Sequence, residues 1–408
     1  MSTRVSRGSF IALASLIVLS AAIPGGAQTL PSRPIAFADG QVTLGGDLSV
    51  TVGPSDPGFF NYTDYEESML RLFRGDLTAS IKMGERVTLL GALHSENGGR
   101  LRAQAMYLRV RPWMNRPIDI QAGRIPPTFG AFSRRAYAAD NPLIGVPIAY
   151  QYLTSLRSDS LPADADELLR MRGQGSHLSF SVGNGDLEHG VAIASPSSWD
   201  TGVQLHSATT AIEATLSVTA GALSYPIWRD DNDRKRVAGR VAARPVIGLV
   251  VGASGSRGPF LSRTVARGAL GEDREREFTQ NAWGADIEYS RDHYVMRAET
   301  LVSDWTIPLA SAPSSRLPLR ATATSVEGKY KIAPGFYAAA RLDRLGFSKI
   351  AGSHGLQAWD APVTRAEIGG GVSLQRNLLF KLAYQYNVRD AGAVHRLSLV
   401  AAQLHFWF

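Results

Sequence analysis

No cysteine occurs in the 408 residues, which excludes disulfides, a thiol nucleophile, a thiolate-held metal and a lipoprotein anchor site. Long apolar runs are missing as well. After residue 23 no stretch reaches the roughly 20 consecutive apolar residues that a membrane helix needs, and the mean hydropathy is near neutral at -0.07. Past residue 40 there is no sustained helical stripe, and no basic stripe with interleaved aromatics of the kind that tracks nucleic acid. Lysine is scarce, and the charged residues (19%) are scattered in both signs. These absences exclude a helical membrane protein, a disulfide scaffold and a nucleic-acid binder. A β-barrel survives them, because only every second residue of its strands faces lipid.

The chain opens on an address. Arg4 and Arg7 precede the apolar run Phe10 to Ile23, which Pro24, Gly25 and Gly26 close. Small residues at Gly25 and Ala27 place cleavage at Ala27–Gln28, so residues 1–27 read as a secretory signal peptide. Residues 28–40 are a polar periplasmic lead-in without periodicity, and 41–408 form the body. The formal charge is +7 and the sequence pI about 9.6; losing Arg4 and Arg7 trims that surplus. So mild a basic balance implies at most a preference for small anions.

The body consists of segments of about ten residues with period-2 patterning, bounded by Gly, Asn, Asp or Pro. In the clearest, Leu378, Phe380, Leu382, Tyr384, Tyr386 and Val388 face one way and Lys381, Gln385, Asn387 and Arg389 the other. Tyr294, Met296, Ala298 and Val302 oppose Arg297 and Glu299; Ala366, Ile368, Gly370, Val372 and Leu374 oppose Arg365 and Glu367; Leu77, Ala79 and Ile81 oppose Asp76, Thr78, Ser80 and Lys82. Sandwich strands run about five or six residues, whereas a strand crossing a membrane needs about 9–11.

The joints alternate. Short ones are expected at 374–377, 331–335, 290–293, 243–245, 207–209, 184–186, 111–117 and 83–85. Longer ones fall at 347–362, 304–319, 256–278, 224–234, 195–198, 124–175, 96–100 and 54–67. Short periplasmic turns and longer external loops are the rule of outer-membrane barrels. The fold class expected is all-β, a transmembrane antiparallel up-and-down β-barrel with one long infolded loop. It has about 18 strands, or 16 if the weak hairpin between Gly183 and Leu205 is read otherwise. Aromatic residues (Tyr107 and Trp113, Tyr289 and Tyr294, Tyr330 and Phe336) sit where an apolar band would end.

The closing strand carries a resemblance. Phe408, Phe406, Leu404, Ala402 and Val400 share one face, with Trp407, His405, Gln403 and Ala401 on the other. This resembles the C-terminal strand of bacterial outer-membrane β-barrels, which ends in Phe and serves as the signal their assembly machinery reads. The run Ala122 to Gly130 (AGRIPPTFG) is similar to the strand-to-loop segment of phosphate-selective porins. The resemblance implies a porin-like channel of the bacterial outer membrane that passes small hydrophilic solutes passively, as a monomer or a homotrimer. Outer-membrane lipid, lipopolysaccharide and the assembly machinery are the implied partners, with no nucleic acid and no cofactor.

Residues 124–175 have a texture of their own. A loop this long inside a compact protein is usually functional, and Phe129, Phe132, Tyr137, Leu143, Ile144, Ile148, Tyr150 and Tyr152 make it too apolar to float free. It is expected to fold into the lumen and narrow it, as the constriction loop of general porins does. Ala163 to Arg172 is expected to be helical, with Asp164, Asp166 and Glu167 early and Arg170 and Arg172 late. Arg124, Arg134, Arg135, Arg157, Arg170 and Arg172, with Asp164, Asp166 and Glu167, are the constriction candidates. Arginines in a pore favour anions, since guanidinium forks carboxylate or phosphate. The same arginines are also able simply to pair with neighbouring carboxylates and hold the loop's shape.

Enzyme chemistry finds little support. The histidines are scattered, with no HExxH and no Gly-x-Ser-x-Gly; His177 with Ser179 and His293 with Asp292 are the only loose pairings. Metal-ligand spacing is absent, and the acidic group Asp230, Asp231 and Asp233 reads as a solvated loop or a Ca²⁺- or lipopolysaccharide-bridging one. Residues 272–277 (EDRERE) read as a loop tip. The competing classes are a non-conducting barrel used for adhesion or complex formation, and an outer-membrane enzyme.

Overall fold

The computed structural model describes residues 33–62, 68–135, 138–195, 199–227, 235–270 and 278–408. Sixteen antiparallel strands close into one barrel. In chain order they are β1 (Val42–Val52), β2 (Phe73–Lys82), β3 (Val87–Glu96), β4 (Arg102–Val110), β5 (Ile118–Ile125), β6 (Asp200–Ala208), β7 (Ile212–Thr219) and β8 (Arg236–Ala243). There follow β9 (Leu249–Pro259), β10 (Thr279–Arg291), β11 (Tyr294–Leu309), β12 (Ala312–Ala333), β13 (Phe336–Phe347), β14 (Val363–Gln375), β15 (Leu378–Arg389) and β16 (Arg396–Trp407). Each pairs with its neighbours in sequence, and β16 closes on β1 from Asp47↔Trp407 to Val52↔Ala402. A short extra strand, Ile35–Phe37, runs alongside the start of β1. Closure leaves no unpaired edge, which is what lets a sheet stand in lipid.

The side-chain polarity is inside out. On β15, Phe380, Leu382, Tyr384 and Tyr386 are 38–53% exposed, while Lys381, Gln385 and Asn387 are at most 1% exposed. Val50, Leu77, Leu205, Leu216, Val241, Ile287, Leu342, Ile368 and Val400 likewise face outward. A belt of exposed aliphatic residues with charges enclosed behind it is stable only against hydrocarbon, so the barrel is transmembrane and of the outer-membrane type. Trp113, Tyr294, Tyr330 and Phe336 are exposed near the short-turn rim. No helix among the described residues is long and apolar enough to cross a membrane.

The seam is built by the last residue. The Phe408 amide donates to the Gly46 carbonyl at 2.9 Å, and the Gly46 amide donates back to the Phe408 carbonyl at 2.9 Å. A Cβ at Gly46 would overlap the Phe408 ring, so the glycine is a requirement of that close approach.

Three expectations are decided or corrected. The hairpin sought between Gly183 and Leu205 adds no strand pair to the barrel, because Asp200–Leu205 belong to β6, so of the two counts expected sixteen holds. Its Val191–Ala194 stretch instead bonds to the chain at 149–156: Val191 donates to Leu156, Thr154 to Val191 and Ala194 to Ala149. Gly190 lies so near the Thr154 carbonyl that any Cβ would collide. The loop expected at 304–319 is instead a hairpin, with Thr306↔Pro318 and Leu309↔Ala312 paired around a register shift that sets Pro308 against residues 313–316. Here Leu301, Trp305, Ile307 and Leu319 point inward onto buried protein rather than water, so polar/apolar alternation is lost and prolines obscure the rest. Thirdly, the long joint runs from 126 to 199; Arg124 and Ile125 belong to β5. The signal peptide, Asp230, Asp231 and Asp233, and residues 272–277 lie outside the described residues.

Candidate functional site

A sixteen-strand barrel is too wide for its own side chains to fill. The chain between β5 and β6 supplies the filling. It enters along the wall: Thr128 Oγ1 bonds Gln204 Oε1 at 2.8 Å and Ser217 Oγ at 2.9 Å, and the Gly130 amide donates to Ser254 Oγ at 3.1 Å. The Ala131 amide and the Tyr150 hydroxyl both donate to Glu299 Oε1, at 2.6 and 2.8 Å. Farther round, Lys381 Nζ donates to the Ala138 and Asn141 carbonyls at 2.6 and 2.7 Å, and Tyr337 to Pro142 at 2.9 Å. The Gly145 amide donates to Glu367 at 2.8 Å, Arg341 donates to the Gly145 carbonyl at 2.7 Å, and Arg365 to Val146 at 2.9 Å. The segment is thereby laced from β6 round to β15.

Its apolar side chains supply the driving force. Phe129, Phe132, Ile148, Tyr150, Tyr152, Leu156, Leu168 and Ile193 form one core with Trp305, Leu319, Leu345 and Trp359. Hiding each such side chain from water contributes about 1.5–3 kcal/mol, which works against the conformational entropy lost in ordering the segment. Trp359 belongs to the 348–362 joint, as does Asp360, which accepts from the Ser155 and Gly173 amides at 2.7 and 2.8 Å. Burial lifts the Asp360 carboxyl above the usual range, and the amide and hydroxyl donors around it only partly counter this.

Two sizeable cavities lie among the described residues. The first, of about 440 Å³, is bounded by β2–β5 on one side and by Phe132, Val146, Tyr150, Leu153 and Val191 on the other. The second, of about 290 Å³, is lined by Ala131, Phe132 and Arg135 and by β7–β12, including Arg240, Asp286, Arg297, Glu299 and Glu327. Phe132 lines both, and its buried ring lies 5.2 Å from that of Tyr150.

The inner wall is a ladder of ion pairs. Arg240 meets Asp286 at 2.5 Å, and Arg297 meets Glu288 at 2.7 Å and Glu327 at 3.1 Å. Arg341 meets Glu367 at 2.7 Å and Glu327 and Asp343 at 3.3 Å. Breaking one partner of such buried pairs costs about 3–5 kcal/mol by leaving a charge uncompensated.

The arginines and carboxylates of the long joint take different places. Arg124, on β5, lines the larger cavity and donates to the Gln104 and Ile227 carbonyls. Arg135 lines the smaller, 4.0 Å from Glu327; burial and the neighbouring Arg297 pull its pKa down from the usual arginine value. Arg134 shares the turn Phe132–Arg135, and its side chain is outside the described residues. Arg157 is fully enclosed, forking Asp159 at 2.9 Å and capping the Leu178 and Asp186 carbonyls. Arg172 reaches Asp390 at 3.2 Å, and Arg170 is exposed at the end of the helix Ala165–Arg170.

That helix is two residues shorter at each end than expected. Asp164 is its N-cap, accepting from the Glu167 amide at 2.8 Å. Glu167 reaches back to the Ala163 amide and accepts from Ser181, while Asp166 accepts from the Ser353 amide at 2.7 Å. These three carboxylates shape the segment. Most of the charge that meets open space comes instead from the wall strands. The sequence carried that signal as charges in mid-strand, such as Arg297 and Glu299, whereas the mid-strand charges Arg365, Glu367 and Lys381 are buried against the infolded segment.

No family model matches the chain, and no curated protein is similar to it in sequence. Its fold is similar to solved outer-membrane proteins. OmpT of Vibrio cholerae in its trimer form superposes with a TM-score of 0.54 at 13% identity, covering 90% of this chain and 99% of that one. Salmonella typhi OmpF in complex with daunomycin gives 0.53 at 11% identity, covering 92% and 100%. An anion-selective porin from Comamonas acidovorans gives 0.52 at 10%, covering 90% and 99%. At such identities the likeness is one of fold.

Proposed function

We propose that this barrel is a porin-like diffusion channel of a bacterial outer membrane, passing small hydrophilic solutes passively with a mild preference for anions. The observation that carries the reading is the pair of cavities that share Phe132 in their lining and are bounded on the barrel side by charged side chains of the wall strands. A wall of paired arginines and carboxylates keeps water in the lumen and gives a passing solute polar partners throughout. Arg124 and Arg135 face these spaces, and with Arg134 they are the candidates for setting the preference. The leader at 1–27 would deliver the chain across the inner membrane, and the Phe408 strand would be read by the assembly machinery. A homotrimer is supported by the trimer form among its structural neighbours.

The apolar core that fills much of the lumen favours a second reading, a non-conducting barrel serving adhesion or complex formation. Reversal potentials in a salt gradient test the preferred one. Anion-preferring current is expected, shifting toward cations in Arg135→Glu and Arg134→Glu; cation preference in the unaltered chain overturns the anion assignment.

A further inference from the structure

An aromatic girdle is general to barrels of this kind, but here arginines are set into it at the short-turn rim. On the outer face of β10 the alternation Trp283, Ala285, Ile287, Tyr289 ends on Arg291, whose side chain is 67% exposed. Arg291 stands opposite Tyr294 on β11, and Tyr294 opposite Tyr330 on β12. The Tyr289 and Tyr294 rings are 6.3 Å apart beside the guanidinium. Toward the bilayer centre the same three strands present Ile287, Met296 and Val326, all exposed. The arrangement recurs at the β4–β5 turn, where Arg116 lies 5.8 Å over the exposed Trp113 ring and Met114 is exposed beside it.

Carboxylates do not cancel this charge. Asp292 lies 3.6 Å from Arg291, but both are mostly in solvent, where such a pair contributes little. Glu288 and Glu327 are on the lumen face, held by Arg297. Among the exposed side chains of the short turns, Lys82, Arg86, Arg116, Arg291, Lys331 and Arg376 stand against Glu85 and Asp292. Arg111 and Arg244 are matched by Asp119 and Glu213.

We propose that the short-turn rim docks anionic phospholipids, with the phosphodiester on Arg291 beside Tyr289 and Tyr294 and an acyl chain along Met296 and Ile287. Arg116 on Trp113 makes a second seat. Short turns face the periplasm in outer-membrane barrels, and that leaflet is built of phospholipid. A phosphodiester suits the planar fork of a guanidinium, and tyrosine hydroxyls add donors at the depth where amphipathic rings settle. A protein partner would meet one sector of the rim. Seats at both β4–β5 and β10–β11 fit a lipid annulus instead, since lipid reaches every sector. Lipid docking does not depend on conduction.

The test is native mass spectrometry of the folded full chain in detergent, titrated with dioleoyl phosphatidylglycerol or dioleoyl phosphatidylcholine. The anionic lipid should bind at least about fivefold more tightly. Arg291→Gln and Arg116→Gln should each weaken it about fivefold and leave the zwitterionic lipid unchanged. Asp292→Asn should tighten it severalfold, a gain that misfolding cannot imitate. Arg344→Gln removes an exposed arginine of β13 nearer the long loops and should change neither lipid. Equal binding of the two lipids overturns the proposal. So does a loss in Arg344→Gln as large as that in Arg291→Gln, which would make the attraction one of net charge. Displacement of the lipid by equimolar inorganic phosphate would assign the site to a free anion and overturn lipid docking.

Discussion

The Tyr150 hydroxyl, on the infolded segment, donates at 2.8 Å to Glu299 on β11, the same carboxylate oxygen that takes the Ala131 amide at 2.6 Å. One wall carboxylate thus pins two points of the segment, nineteen residues apart, on either side of Phe132 in sequence. Burial and the Glu299 charge push the Tyr150 hydroxyl well above the ordinary tyrosine value, so it stays a donor across the physiological range. Tyr150→Phe should cost about 1–3 kcal/mol. It should show as a lower temperature for the heat-induced gel-mobility shift and as noisier open-channel current.

Phe132 lines both cavities. Phe132→Ala should raise single-channel conductance about twofold, since a constriction's resistance depends on its narrowest section. The barrel should stay intact, because sheet pairing does not involve this residue. Conductance unchanged from the unaltered chain would place the narrowest section elsewhere.

Lys381 caps the Ala138 and Asn141 carbonyls. Lys381→Met keeps the length of the side chain and removes the donor, leaving each buried carbonyl short of a partner at about 1–3 kcal/mol. Amide hydrogen exchange at 138–145 should accelerate by at least about tenfold, while β1–β16 amides keep their protection.

Acid should loosen the segment through Asp159. Burial raises its pKa, but the hydrogen bonds and charge of Arg157, with Asn184, outweigh burial and hold it below the usual aspartate value. A depressed folded-state pKa means the stabilisation is full above the unfolded value, near 3.9, and is lost as pH falls through the folded one. Hydrogen exchange at 157–186 should therefore rise below about pH 4. Asp159→Asn should remove that pH dependence and raise the exchange already at neutral pH.

At the seam, Gly46→Ala forces a methyl into the Phe408 ring. The variant should assemble more slowly and lose its heat-resistant mobility at a lower temperature, with Gly45→Ala a weaker neighbour because its nearest atom is a movable threonine hydroxyl.

The barrel was legible because lipid imposes a strict rule: on strands such as β15 every second residue must be apolar, and Leu378 to Val388 obeys it. The rule weakens where the lumen is dry. Trp305, Ile307, Leu317 and Leu319 face packed protein, so 304–319 lost its alternation and read as a loop. Val191–Ala194 has strand chemistry, yet its partners lie within the infolded segment, and period alone cannot say which edge a strand will join. Among the charges, position along the chain gave little guide to position in space. Arg157 and Glu167 sit in the long joint and shape it, whereas Arg240, Arg297 and Glu327 lie in ordinary strands and line open space. Their mid-strand placement on polar faces was the available sign.

Conductance in planar bilayers tests the central claim most directly. Insertion of the purified full chain should produce discrete current steps of uniform size, which Phe132→Ala enlarges. Folded, heat-resistant barrels that insert without any current step would contradict the channel and leave the filled lumen as a plug.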